Sequence, residues 1–339
     1  MKDPNILKHL GQRLLITGVA LLLFSATAAA QWTWTPQTGR WINLKQLPKE
    51  TPELQMEYAR GLLIEKDYKK AWRETGKFVQ FYGDSDYADE NQFLRGEIRQ
   101  AQGKYMEAAK QYQQVLANYP STELYDDAIE RQYEIGDTYY EEGLKRVDSK
   151  WRLFRKRPLK RAVEVYSMVI DNGPFSPAAA EAQYKVGLCQ YTRKEYLEAA
   201  FEYRRVVEDY SGSEWVDEAS YGLAMCYHKM SLAPEYDQEP SQLTIDSINN
   251  HTARYPDDAR NAELQTISTE MYNNIAEQRL LTAKFYERRR KFPSAKIYYE
   301  VVASQYPDAP AAEQAKAWLA SHEQVEHIGQ RRARFSGEE

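Results

Sequence analysis

The chain has 339 residues, a formal net charge of −5, and 26 tyrosines against 16 glycines. A composition rich in tyrosine, alanine and glutamate and poor in glycine reads as packed amphipathic helices. No run of about 18 apolar residues follows Phe24, which excludes a polytopic membrane protein. Lys2, Lys8 and Arg13 against Asp3 leave −7 on residues 31–339, so nucleic acid is not an expected partner.

Residues 1–30 read as an export signal. Lys2, Lys8 and Arg13 form a basic start, Leu14 to Phe24 is an apolar run of 11, and Ala28-Ala29-Ala30 before Gln31 fits a cleavage site near Ala30. The alternative is an uncleaved anchor or a buried helix, though 11 residues are short for a span. A lipid-acceptor cysteine would follow the small residues directly. Gln31 stands there and the first cysteine is Cys189, so no lipid anchor is expected. Residues 31–50 form an aromatic extended segment with Trp32, Trp34 and Trp41.

From residue 51 the chain repeats with a period of about 37 residues. Glu90, Phe93, Gly96, Tyr105, Ala108, Tyr112 and Pro120 align without a gap on Glu181, Tyr184, Gly187, Tyr196, Ala199, Tyr203 and Ser211. Each unit reads as a helix, a short turn and a second helix. The glycine lets the two helices approach, and the alanine sits at their crossing, where a larger side chain would overpack. The crossing positions are Ala71, Ala108, Ala162, Ala199, Thr244 and Ala295. The pattern resembles the tetratricopeptide repeat (TPR). It predicts an all-α, right-handed α-solenoid of five to six TPR-like helix pairs, each packed mainly on its neighbours.

Units one to five occupy residues 51–256, and the third is enlarged by a basic insertion at 143–157. Lys145 to Arg157 holds seven bases and one acid, with Trp151, Leu153 and Phe154 interleaved. Lys150, Arg152, Arg155, Lys156 and Arg157 suit anionic lipid headgroups or an acidic partner. The alternative is a solvated loop whose aromatics fold onto the solenoid. Asp257 to Arg290 lacks Pro and Gly and keeps helical periodicity, which predicts one long helix. It opens the last region, 257–322, and a disordered tail is expected at 323–339. Cys189 and Cys226 stand 37 residues apart, at the same place in neighbouring first helices. An exported chain could bridge them, but helices about 8–10 Å apart are too distant for a disulfide, which favours two buried core residues.

The C-terminal third carries a sharper resemblance. Tyr236-Asp237-Gln238 precedes a helix pair ending Arg254-Tyr255-Pro256. A long helix ending Ala283-Lys284-Phe285-Tyr286 follows, then a pair holding Phe292, Ala295 and Gln305-Tyr306-Pro307. In these features, in Arg157-Pro158 after the insertion and in the Trp32–Trp41 lead-in, the chain resembles the BamD family. That family is the periplasmic repeat component of the machine that assembles β-barrel proteins in the outer membrane. The resemblance implies a non-catalytic scaffold in the periplasm, at the inner face of the outer membrane. Its partners would be the barrel-forming subunit, docked on the last repeats, and unfolded outer-membrane proteins. The docking surface would be the polar face of the long helix, with Glu270, Asn273, Asn274 and Glu277, while Ile267, Met271 and Ile275 face inward.

The repeat frame also suggests a partner groove on the first helices. Phe93, Glu97, Tyr133, Asp137, Tyr140, Tyr184, Tyr191 and Tyr221 would line it, beside a ladder of glutamates six residues before each anchor: Glu53, Glu90, Glu130, Glu181, Glu218 and Glu277. Such a surface suits an extended peptide with aromatic and basic side chains. The plainer reading is that a first-turn glutamate only favours its own helix. No H-E-x-x-H, G-x-S-x-G, phosphate loop or repeated Cys–His spacing occurs, so neither an enzyme nor a metal or cofactor site is expected. A generic periplasmic TPR adaptor for envelope or peptidoglycan-associated complexes is the alternative. Such adaptors commonly carry an N-terminal coiled coil, which this sequence does not show.

Overall fold

The computed structural model describes residues 32–35, 40–43, 47–147 and 156–322. The expected signal at 1–30, the tail at 323–339, and Lys150, Arg152 and Arg155 lie outside them. The aromatic lead-in contributes β1 (Trp32–Thr35) and β2 (Arg40–Asn43), paired antiparallel with Trp34 opposite Trp41.

Thirteen helices follow among the described residues. They are α1 (Pro52–Ile64), α2 (Tyr68–Tyr82), α3 (Ala88–Ala101), α4 (Tyr105–Asn118), α5 (Tyr125–Val147) and α6 (Lys156–Asn172). After these come α7 (Pro177–Thr192), α8 (Tyr196–Asp209), α9 (Val216–Met230), α10 (Glu239–Arg254), α11 (Asn261–Arg288), α12 (Phe292–Gln305) and α13 (Pro310–Ser321). The fold is all-α, of the TPR solenoid class, with pairs running from α1–α2 to α11–α12 and α13 packed on the last pair. The chain divides into two compact units, residues 1–128 and 129–339.

Local chemistry sets the helix ends. Thr51 caps α1 by accepting the Leu54 N–H at 3.2 Å, with Pro52 pre-setting the first turn. Asp67 caps α2 through the Lys70 N–H at 3.1 Å. Within four pairs the turn passes through one left-handed residue, two positions before the second helix: Lys66 (φ 63°), Gly103 (φ 71°), Lys194 (φ 66°) and Arg290 (φ 58°). The Gly103 N–H bonds the Gln100 carbonyl and the Lys104 N–H the Arg99 carbonyl, both at 2.9 Å, so the freed carbonyls of α3 are satisfied by backbone alone.

The crossing residues Ala71, Ala108, Ala162, Ala199, Thr244 and Ala295 are all fully buried, as the repeat predicts. The glycines do a more specific job than letting helices approach: they admit a tyrosine ring from the second helix. A Cβ on Gly96 would lie 2.4 Å from the Tyr112 ring, and one on Gly136 2.5 Å from the Tyr166 ring. Tyr203 is gripped from both sides, since a Cβ on Gly187 or on Gly222 would lie 2.8 Å from it.

The first unit has a core of Met56, Ala59, Leu62, Ala71, Phe78, Leu94 and Ile98. In the second unit Cys189 and Cys226 are buried and unbridged, as the helix spacing predicts. Burial pushes each thiol up to about 12.

The long helix α11 has 28 residues and starts at Asn261 rather than Asp257. Residues 257–260 turn instead, because the Asp258 carboxylate accepts the Arg260 N–H at 2.8 Å and Asn261 Nδ2 donates to the Tyr255 carbonyl at 2.8 Å. Its first half, with Leu264, Ile267 and Met271, shares a core with Ala224 and Ile248. Its second half, with Ala276, Leu280 and Ala283, shares another with Ala295, Tyr299 and Ala315. No described helix is long and apolar enough to cross a membrane.

Candidate partner-binding surfaces

In the first unit, Phe93 is not a groove residue. It is 8% exposed, its ring packed against that of Tyr112 with centroids 5.1 Å apart. Glu97 is half-buried. Trp72 lies under two guanidiniums, Arg95 at 4.0 Å and Arg99 at 3.5 Å.

In the second unit, Tyr133, Asp137, Tyr140, Tyr184, Tyr191 and Tyr221 are half-buried on the first helices α5, α7 and α9. Asp137 is a node. Tyr166 donates to it at 2.5 Å and Lys185 at 2.7 Å, while Lys185 also pairs with Glu181 at 3.3 Å and lies 4.6 Å over the Tyr133 ring. Burial, then the bond to Asp137, holds the Tyr166 phenol well above its ordinary range, and burial pushes Tyr140 up to about 12. Tyr184 stacks on Trp215 with centroids 5.1 Å apart, and Tyr191 meets Tyr196 edge-on at 5.4 Å.

Much of the glutamate ladder is committed within the protein. Glu53 accepts from Tyr87 at 2.7 Å, Glu90 pairs with Arg60 at 2.8 Å, Glu181 with Lys185, and Glu218 with Arg260 at 2.7 Å. Most of these ties join one helix pair to the next. Glu130 on α5 is exposed, and the half-buried tyrosines present their edges beside it.

A second node was not readable from the repeat frame. His251, on α10, is fully buried, with Nδ1 2.6 Å from Ser220 Oγ of α9 and Nε2 3.1 Å from Asp258 Oδ2 in the α10–α11 turn. Asp258 is held in turn by the Arg260 guanidinium at 2.7 Å, and Arg260 reaches Glu218 and lies 4.5 Å over the Tyr221 ring. The Arg260 guanidinium holds the Asp258 carboxyl well below the usual carboxylate range. Serine, histidine and aspartate in a row look like nucleophile activation. Here the ring is sealed and the carboxylate is spent on arginine, so the row is a clamp joining α9, α10 and α11. Its spacing in sequence matches no repeat period, and only the turn at 255–260 closes it.

On α11 Glu270 is exposed, Asn273, Asn274 and Glu277 are half-buried, and Ile267, Met271 and Ile275 are buried, which is the orientation the periodicity predicts. Of the basic insertion, α5 runs on to Val147 and α6 opens with Lys156, followed by an exposed Arg157. Among the described residues no group of three or more His, Cys, Asp or Glu is placed to hold a metal ion.

A family model described as YfiO, outer membrane lipoprotein, matches residues 150–334, and a tetratricopeptide repeat model matches residues 90–122. No curated protein matches the chain. Similar solved structures include a TPR protein of Thermus thermophilus, at 13% identity over 65% of this chain and 98% of that one, TM-score 0.31. A TPR protein of Parabacteroides merdae is 15% identical over 78% and 96%, TM-score 0.31. PilW, a type IV pilus biogenesis factor, is 14% identical over 78% and 98%, TM-score 0.27.

Proposed function

The chain belongs to the YfiO outer membrane lipoprotein family, the BamD family of TPR proteins, and from that membership we propose that it is a non-catalytic periplasmic scaffold of the machinery that assembles β-barrel proteins in the outer membrane. The family match over residues 150–334 is the observation that carries this reading. It spans α6 to α13, including the half-buried tyrosines of α7 and α9 and the polar face of α11. The barrel-forming subunit of the machine docks on that face, at Glu270, Asn273, Asn274 and Glu277. A continuous helix anchored in two cores is already rigid, so docking on it costs little ordering entropy. Unfolded barrel proteins are a second class of partner, held along the tyrosine edges of the first helices.

The protein works at the inner face of the outer membrane, after cleavage of its signal near Ala30. Cys189 and Cys226 are both core residues, so this reading places no lipid on either. The basic insertion supplies a membrane contact, Arg157 and its neighbours meeting anionic headgroups.

Truncation is a poor test. Leu264 and Ile267 share a core with Ile248, so removing α11 would strip the α9–α10 pair of its cover. Charge reversal on the polar face is cleaner. The double variant Glu270→Lys, Glu277→Lys should keep its melting temperature and lose co-purification with the barrel-forming subunit from envelope membranes. Undiminished co-purification would remove the docking site from α11.

A further inference from the structure

The second helices of the second unit carry a feature outside both the tyrosine row and the α11 face. On α8, Leu197 and Phe201 are 65% and 58% exposed and stand one helical turn apart. They border a cleft of about 510 Å³ that runs from α8 to the end of α9 and the start of α10. Its apolar lining comes from Ala200, Tyr227, Met230, Pro240 and Leu243 beside Leu197 and Phe201. Its polar lining is Glu198, Glu202, Asp237 and Glu239 against a single cation, Arg204. Arg204 donates to the Tyr227 hydroxyl, and Glu202 is held by Gln183 and Arg205. Glu198, Asp237 and Glu239 are exposed.

The cleft is built rather than incidental. The loop that walls it, between α9 and α10, is fixed by the buried Gln238, whose Nε2 donates to the carbonyls of Ala233 at 3.0 Å and Tyr236 at 3.2 Å. Gln238 Oε1 accepts the Ser241 hydroxyl at 2.8 Å. Gln190, also in the lining, has a buried side-chain oxygen with no hydrogen-bond partner.

We propose that this cleft is a second docking site, which takes a partner segment presenting an aliphatic or aromatic side chain flanked by lysine or arginine. The apolar side chain fills the space between Phe201, Leu197 and Leu243. The flanking cations meet Glu198, Asp237 and Glu239, which are exposed on its rim. An acidic segment would face like charge on the rim, so sign of charge gives the selectivity. The site does not depend on what docks on α11.

The test uses the full chain and a short labelled peptide of arginine, leucine and phenylalanine, beside a control with glutamate in place of arginine, both read by fluorescence anisotropy. The arginine peptide should bind, weaken as salt rises, and ignore Glu270→Lys. The glutamate peptide should not bind. Phe201→Ser and the double variant Glu198→Lys, Glu239→Lys should each weaken binding about tenfold, equivalent to about 1.4 kcal/mol, with unchanged melting because all three side chains are exposed. Equal binding of both peptides, or affinity untouched by either variant, would overturn the proposal. So would a dimer in sedimentation that Phe201→Ser splits, since a second copy would then be the occupant. Affinity that rises in the variant Trp151→Ser, Phe154→Ser would assign the cleft to the chain's own basic insertion instead.

Discussion

The α3–α4 and α11–α12 pairs put the same tyrosine in the same slot by different means. Tyr112 lies against Gly96, whereas Tyr299 shares a core with Ala283, the residue at the equivalent place. Both phenols donate to a side chain four residues past that anchor, Tyr112 to Gln100 at 2.9 Å and Tyr299 to Glu287 at 2.6 Å. In the first pair the ring is accommodated by removing a side chain from the facing helix. In the last it is covered by adding one: Trp318 of α13 stacks on Tyr299 at 4.3 Å and bonds Glu287 through its indole N–H at 2.9 Å. The slot is defined by ring and hydrogen bond together, and glycine is one of two ways to fit it.

The largest effect should come from emptying the slot. Tyr112→Ala removes a fully buried ring and should cost about 3–5 kcal/mol in chemical denaturation. A loss no larger than that of an exposed substitution would show that the ring does not hold the pair. Next comes the fit itself. Gly96→Ala forces a methyl group into the Tyr112 ring and should cost about 1–3 kcal/mol. The reciprocal Ala283→Gly should cost only about 1 kcal/mol, the helix propensity of alanine. Equal costs in the two would erase the distinction between the pairs.

The smallest effects separate glycine's two uses. Nothing lies within 4 Å of a Cβ on Gly103, so Gly103→Ala pays only for its left-handed backbone, about 1 kcal/mol. Lys194→Gly, at the matching turn of α7–α8, should raise stability by a similar or smaller amount, seen as a higher melting temperature. A fall would mean that the lysine side chain matters there more than its backbone.

The helix pairs were legible in the sequence because their crossing residues repeat at a fixed interval and admit few side chains: alanine where helices touch, tyrosine to fill, glycine beneath the ring. That same frame misplaced Phe93: the position three before the anchor packs on the facing tyrosine at Phe93, Tyr133 and Tyr184 alike, and only the smaller phenylalanine ring is swallowed whole. The clamp of Ser220, His251, Asp258 and Arg260 was not legible at all. Its members come from two helices and a turn, and no periodicity links them. The cleft beside Phe201 escaped for the same reason, because its wall is an irregular loop whose shape is set by one buried glutamine.

The 28-residue α11 contributes to two cores at once, and this changes how the second unit comes apart. Arrays of short pairs unzip one pair at a time, because each turn is a place to stop. Along α11 there is no such place between Leu264 and Ala283. Both cores lose a wall when the helix they share unfolds, which couples their opening. Amide hydrogens from Leu264 to Ala283 should exchange with a single opening free energy, while those at the far end of α13 exchange earlier.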